Sequence, residues 1–237
     1  MNFLTLSQRL ALEAGVSGTL STTANQVGSL NRVVTWINQA WMELQTEHDD
    51  WDWLRSSNLF GSGVSFATVS GQASYPLGTG AGTVGITADA FTKWDRETFR
   101  TYLTTAGVTN ETFLDWIPYD TWRDAYMLGA LRNVKTRSVA FAIGPDKSIC
   151  IGPPSDGLYT VTGDYFIAPT QMVADGDLPT GLPARWHMDI VYRAMMMYAG
   201  YESAPEVYQR GAAGHAMLLA QMEAQYVPEM AFSGALA

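Results

Sequence analysis

The chain has 237 residues, 47% of them hydrophobic and only 16% charged, with a formal net charge of −9. That length suits one large domain or two small ones with a real core. The acidic balance, with no run of Lys or Arg, argues against a reader of phosphate backbones. Cys150 is the single cysteine, so an intrachain disulfide is excluded.

Globular chains average nearer a quarter charged residues. The shortage here, with eight Trp, eleven Tyr and eleven Met, points to apolar surface that meets other chains. A well-filled monomer core is the competing reading. The first residues, MNFLTLSQRLALEAG, lack the basic head of a signal peptide. No apolar stretch approaches the ~18 residues of a membrane span.

In chain order, Phe3, Leu6, Leu10 and Ala14 predict a short amphipathic helix stopped by Gly15 and Gly18. Residues 17–26 read as a polar loop. From Gly28 to Arg55, Leu30, Val34, Ile37, Trp41, Leu44, His48 and Trp51 recur by threes and fours. That spacing predicts one helix of about seven turns with an aromatic stripe.

The pattern then turns to β. Short runs at 64–67, 73–77 and 97–103 are separated by glycines, and Pro118 to Leu128 reads as a short inserted helix. Val139, Phe141 and Ile143, then Ile149 and Ile151, then Tyr159 to Ile167, are divided by Gly144–Lys147 and Pro153–Gly157. They predict a three-stranded antiparallel meander.

Helix returns with the stripe Trp186, Ile190, Ala194, Met197 and Tyr201. Ser203 reads as the N-cap of a last helix, with Pro205 in its first turn and Glu206 at the capping-box position. Its stripe is Tyr208, Ala212, His215, Leu219, Met222 and Tyr226, and Pro228 ends it. The predicted fold is α+β. N- and C-terminal helices (1–56 and 170–227) form one bundle, an antiparallel β-rich segment with a short helix (57–169) is inserted in it, and 228–237 is an extended arm.

Catalytic chemistry finds little support. Gly80-Ala-Gly-Thr-Val-Gly85 matches G-x-G-x-x-G but lacks the strand before it and the helix after it that a dinucleotide site requires. His48 and Asp52 would share a helical face, the one candidate pair for a metal-dependent hydrolase, yet no third ligand is evident. Cys150, in an apolar run, reads as a buried small hydrophobe. No cofactor is expected, and the chain does not read as an enzyme.

Four segments carry a family resemblance: Trp36-Ile-Asn-Gln-Ala-Trp41 with its acidic, tryptophan-rich exit His48–Arg55; Trp94–Arg100; Trp116–Arg123; and Leu182-Pro-Ala-Arg-Trp-His187. In this order the chain resembles the head-to-tail adaptor (connector) proteins of tailed bacteriophages. The resemblance implies a structural virion protein at the neck, assembled in the host cytoplasm. It implies a homo-oligomeric ring, usually a dodecamer, docked under the portal protein. The ring would carry the tail or nozzle protein and form part of the channel through which DNA leaves, without sequence-specific binding.

On that reading Ile37, Trp41, Leu44, Trp51, Trp186, Ile190, Met197, Tyr201, Leu219 and Met222 are candidates for bundle core or subunit interface. Val227, Met230, Phe232 and Leu236 of the uncharged arm are candidates for portal contact. The alternative reading is a tail or receptor-binding β module that grips glycan or protein through exposed Trp94, Trp116 and Trp122.

Overall fold

Asn2 opens the first helix by accepting the Thr5 amide on its side chain at 2.9 Å, and Gly15, at φ +67°, closes it in the left-handed conformation that glycine adopts at least cost. This helix, α1 (Phe3–Ala14), buries Phe3, Leu6 and Leu10. The computed structural model describes residues 1–57 and 61–227. It is an α+β fold in two compact units: Met1–Leu54 joined with Pro169–Ala237, and Arg55–Ala168.

The long helix α2 runs Gly28–Glu47 and is shorter than its hydrophobic pattern predicts. His48, Asp49 and Asp50 leave the helix, since Asp is a weak helix former and carboxylates are disfavoured at the negative end of the helix dipole. The chain then doubles back. The Trp51 indole Nε1 donates to the Leu44 carbonyl at 3.0 Å, one of the carbonyls that the helix end leaves without an intrahelical donor. Trp53 stacks on Trp41, ring centroids 5.5 Å apart. The apparent stripe from Leu44 to Trp51 is therefore closed by a fold-back and not by further helical turns. The buried side of α2 is centred on Val33, Ile37, Ala40, Trp41, Leu44 and Gln45.

The same helix holds the returning chain. The Asn38 amide accepts from the Met172 N–H (2.9 Å) and donates to the Met172 carbonyl (2.8 Å). One heptad on, Gln45 does the same to Thr170, at 2.9 and 3.0 Å. Asp175 accepts from the Thr23 amide and hydroxyl, and the carbonyls of Asp175 and Asp177 take amides from the first turn of α1. The last helices follow: α4 (His187–Glu202), packed on α1 and α2, and α5 (Pro205–Tyr226), packed on α4. Ser203 is not the cap of α5. It ends α4 in the left-handed region at φ +55°, and Ala204 precedes Pro205 as the capping position.

The second unit begins with β1 (Arg55–Ser56), β2 (Val64–Ala67), β3 (Ser74–Tyr75), β4 (Phe91–Trp94), β5 (Arg100–Leu103), β6 (Thr112–Phe113) and β7 (Asp115–Trp116). Helix α3 (Tyr119–Tyr126) follows, then β8 (Ala140–Ile143), β9 (Ile149–Gly152), β10 (Tyr159–Gly163) and β11 (Tyr165–Ile167). They form three sheets, ordered β1-β11-β4, β2-β10-β5-β6 and β3-β9-β8-β7. Pairing is antiparallel except for β7 on β8.

The predicted meander holds for its first hairpin, β8–β9, and fails at the third strand. β10 pairs with β2 and β5, because its partners bury Val161 against Phe66, Phe99 and Phe141 in the main core. The G-x-G-x-x-G match lies in a turn, with Gly78 bridged to Ile86 and the Thr83 hydroxyl donating to the Gly78 and Gly80 carbonyls. It does not open a helix.

Replacing Trp51 with alanine removes a fully buried ring and a carbonyl cap, and is expected to cost the helical unit about 3–5 kcal/mol. Gln45→Leu, which strands the Thr170 N–H and carbonyl, is expected to cost about 1–3 kcal/mol. Denaturant titration followed by tryptophan fluorescence and far-UV circular dichroism measures both. An unchanged midpoint for either variant would refute its assigned role.

Candidate interaction surface

The three histidines each have a different hydrogen-bond partner. His48 lies past the end of α2, so it does not share a helical face with Asp52, and its Nε2 pairs with Glu223 Oε1 at 3.0 Å. His215 Nδ1 pairs with Asp189 Oδ1 at 2.9 Å, and its Nε2 is 3.4 Å from the Arg193 guanidinium, which in turn binds Glu47. His187 is buried, with Nε2 3.0 Å from the Leu182 carbonyl and Nδ1 2.6 Å from the Met1 nitrogen. Among the described residues no three His, Cys, Asp or Glu side chains are grouped to hold a metal ion. Burial pushes the Cys150 thiol above its usual range, away from the reactive thiolate.

Two of these pairs tether α5. This helix buries only Gly211 and Met222 fully, so apolar burial alone holds it weakly. Close backbone approach is one compensation. A Cβ on Gly211 would sit 2.8 Å from the Tyr192 carbonyl oxygen, and one on Gly214 would sit 2.6 Å from the Tyr192 ring. Polar ties are the other: His215–Asp189, His48–Glu223, Arg185 to Gln225 (2.7 Å) and to the Tyr226 hydroxyl (3.0 Å), and Arg210 to the Glu13 carbonyl (2.6 Å). Asp189 Oδ2 is buried with no hydrogen-bond partner among the described residues.

The predicted site residues divide by burial. Ile37, Trp41, Leu44, Trp51, Ile190 and Met222 are fully enclosed, and Trp186 nearly so. Met197 and Leu219 are half-buried, and Tyr201 is 54% exposed. Val227 is half-buried just after α5, while Met230, Phe232 and Leu236 lie outside the described residues.

Tyr201 belongs to a surface ledge. Its ring and that of Tyr198 each lie 5.9 Å from Trp36, and the Arg32 guanidinium stacks 4.1 Å above the Tyr201 ring. Around the last turns of α4, a different side shows an apolar depression of about 360 Å³. It is lined by Ala199, Gly200, Ser203, Ala204, Pro205 and Tyr208. The sequence pattern of α4 does not single out this pair of surfaces, because Arg32 lies more than 160 residues from Tyr201 in the chain.

In the β-rich unit the tryptophans proposed to grip a ligand do not form a platform. Trp94 and Trp122 are each 4% exposed, buried in the two cores of that unit, and only Trp116 is substantially open, at 40%. Trp94 also spends its indole N–H on the Lys147 carbonyl at 2.7 Å. The polar cleft there, of about 370 Å³, neutralises its own charges: Arg55 on Asp95 and Asp164, Arg100 on Glu111.

The chain matches a known family along nearly its whole length: the SU10 adaptor protein family, over residues 1–233. The chain belongs to that family. It is a family of phage head-to-tail adaptors, and its members' role is structural. No curated protein matches the chain. In this adaptor, no helix among the described residues is long and apolar enough to cross a membrane.

Burial also sets a pH dependence. Desolvation is the main cause that holds His187 below its usual pKa, so the unfolded chain binds a proton there that the folded chain resists. Its contribution is complete above pH ~6.5 and is lost as pH falls through the depressed folded value. The hydrogen bond from Arg193 likewise holds Glu47 below the ordinary carboxylate range, and that contribution fades further down, as pH falls below ~4.5. Stability of the helical unit is expected to fall from pH 7 to pH 5, and His187→Gln is expected to flatten that slope. Denaturation midpoints across this range measure it. An equal slope in the variant would assign the dependence elsewhere.

Proposed function

We propose that this adaptor works as a non-enzymatic ring in the neck of the virion. It docks beneath the portal, presents the joining surface for the tail or nozzle, and encloses part of the path by which DNA leaves the capsid. The observation that carries this reading is the family match over residues 1–233, set on a helical unit that keeps large aromatic and apolar side chains at its surface. Tyr201, Tyr208 and Met217 are each more than half exposed, and protein interfaces are enriched in such residue types.

A heterologous contact, one face of a protomer on a different face of the next, generates such a ring when its rotation closes. A dodecamer is the proposed size. The net charge of −9 suits a wall past which a phosphate backbone slides without sticking. Val227 and the uncharged arm beyond it, with Met230, Phe232 and Leu236, are the proposed portal contact. An apolar segment of this kind gains order by docking on a partner.

Native mass spectrometry of the purified chain, alone and mixed with the portal ring of its own phage, tests the proposal. The expected result is a discrete multimer on the portal, lost when residues 228–237 are removed while the helical circular dichroism persists. A chain that stays monomeric in the presence of the portal would overturn the ring. A truncated chain that docks as well as the full one would overturn the role of the arm.

A further inference from the structure

The charges of the helical unit leave a matched pair unused. Arg9 and Arg210 pair with Glu13, Arg193 pairs with Glu43 and Glu47, and Arg185 is held by Gln225 and Tyr226. Arg32 is the exception. Its exposed guanidinium stacks on Tyr201 and has no ion pair among the described residues. Glu202 and Glu206, exposed beside the apolar depression at the α4–α5 turn, have none either.

The two features occupy different sides of one helix end. Tyr198 and Tyr201, three residues apart, share the side of α4 that meets Trp36 on α2. Ala199, Gly200 and Ser203 turn roughly 100–200° away from Tyr198 about the helix axis, at 100° per residue. One chain thus displays a cationic aromatic ledge and, on another side, an apolar hollow flanked by carboxylates.

We propose that copies of this chain join head to tail here. The Arg32–Tyr201 ledge of one copy seats against the Ala199–Pro205 hollow of the next, and Arg32 pairs with Glu206 of that next copy. The contact rests on the ring reading above and specifies its interface. The occupant is a second copy because both complementary halves lie on the same chain, and within an acidic protein Arg32, which has no ion pair among the described residues, is a cation suited to a neighbour's carboxylate. Because the ledge and the hollow face different sides of the helix end, seating the ledge of each copy in the hollow of the next is a heterologous contact, which propagates from copy to copy. Arg, Tyr and Trp around a desolvated centre are also the side chains that concentrate binding energy in interfaces, and the planar guanidinium can grip a carboxylate through two hydrogen bonds.

A charge swap on the full-length chain tests it, with assembly on the portal read by native mass spectrometry over a concentration series. Arg32→Glu and Glu206→Arg are each expected to raise the concentration needed for ring formation at least tenfold, with melting temperatures within a few degrees of the parent. The double variant, Arg32→Glu with Glu206→Arg, is expected to recover most of that loss. Single variants that assemble at the parental concentration, or a double variant no better than either single, would overturn this contact and leave the ring itself standing. Failure of the parental chain to assemble on the portal would overturn the ring and this contact together.

Discussion

Within the helical unit, α2 grips a stretch of chain that returns from more than 110 residues away. Asn38 and Gln45 each offer a carboxamide to one backbone N–H and one backbone carbonyl, at Met172 and Thr170, as a neighbouring β-strand would. Their heptad spacing puts both on one face of α2, and the returning segment is therefore held at two points in a defined register. Without this clamp the segment would bring unpaired backbone groups against a helix whose own backbone groups are already used. The Asn of the Trp36–Trp41 motif is thus explained by backbone satisfaction, and the motif needs no catalytic or ligand-binding role.

A second constraint concerns how the bundle is completed. α4 is sunk among its neighbours, with Ile190, Val191, Ala194 and Met195 enclosed, whereas α5 is held by two glycines and a set of polar ties. Polar ties cost side-chain entropy and desolvation, and yield less net stability than apolar burial of comparable extent. What they leave is an outer helix with tyrosine, methionine and alanine at its surface. This incompletely covered helix is the surface on which the joining role proposed above rests.

Much of the α+β organisation was legible in the amino-acid pattern. The period-3.6 stripes of α1, α2 and α4, the glycine stop at Gly15 and the alternation across Ala140–Ile151 each follow from local sterics and from the need to bury one face. The exit of α2 was misread because Trp51 falls at the spacing a continuing helix would require. Its ring is indeed buried beside Leu44, but by a reversal of the chain that hydrophobic periodicity cannot distinguish from another turn. The third strand of the meander was misplaced for a related reason. Alternation reports that β10 has a buried face and says nothing about which sheet edge receives it. Ser203 carries the side chain of a helix N-cap, yet the tight α4–α5 reversal uses its backbone in the left-handed region instead.

By itself the sequence determined the element types, the absence of a disulfide, the acidic surface and the family, because these depend on composition, short-range periodicity and local motifs. Only the tertiary structure decided which side chains remain outside. Trp94 and Trp122 are closed within cores while Tyr201 is open, although all three are aromatics in periodic segments, because burial depends on neighbours contributed from distant parts of the chain. The same holds for charge. Arg32 is one of five arginines in the helical unit, and only the folded arrangement shows that the other four are held by carboxylates or polar groups while Arg32 has no ion pair among the described residues.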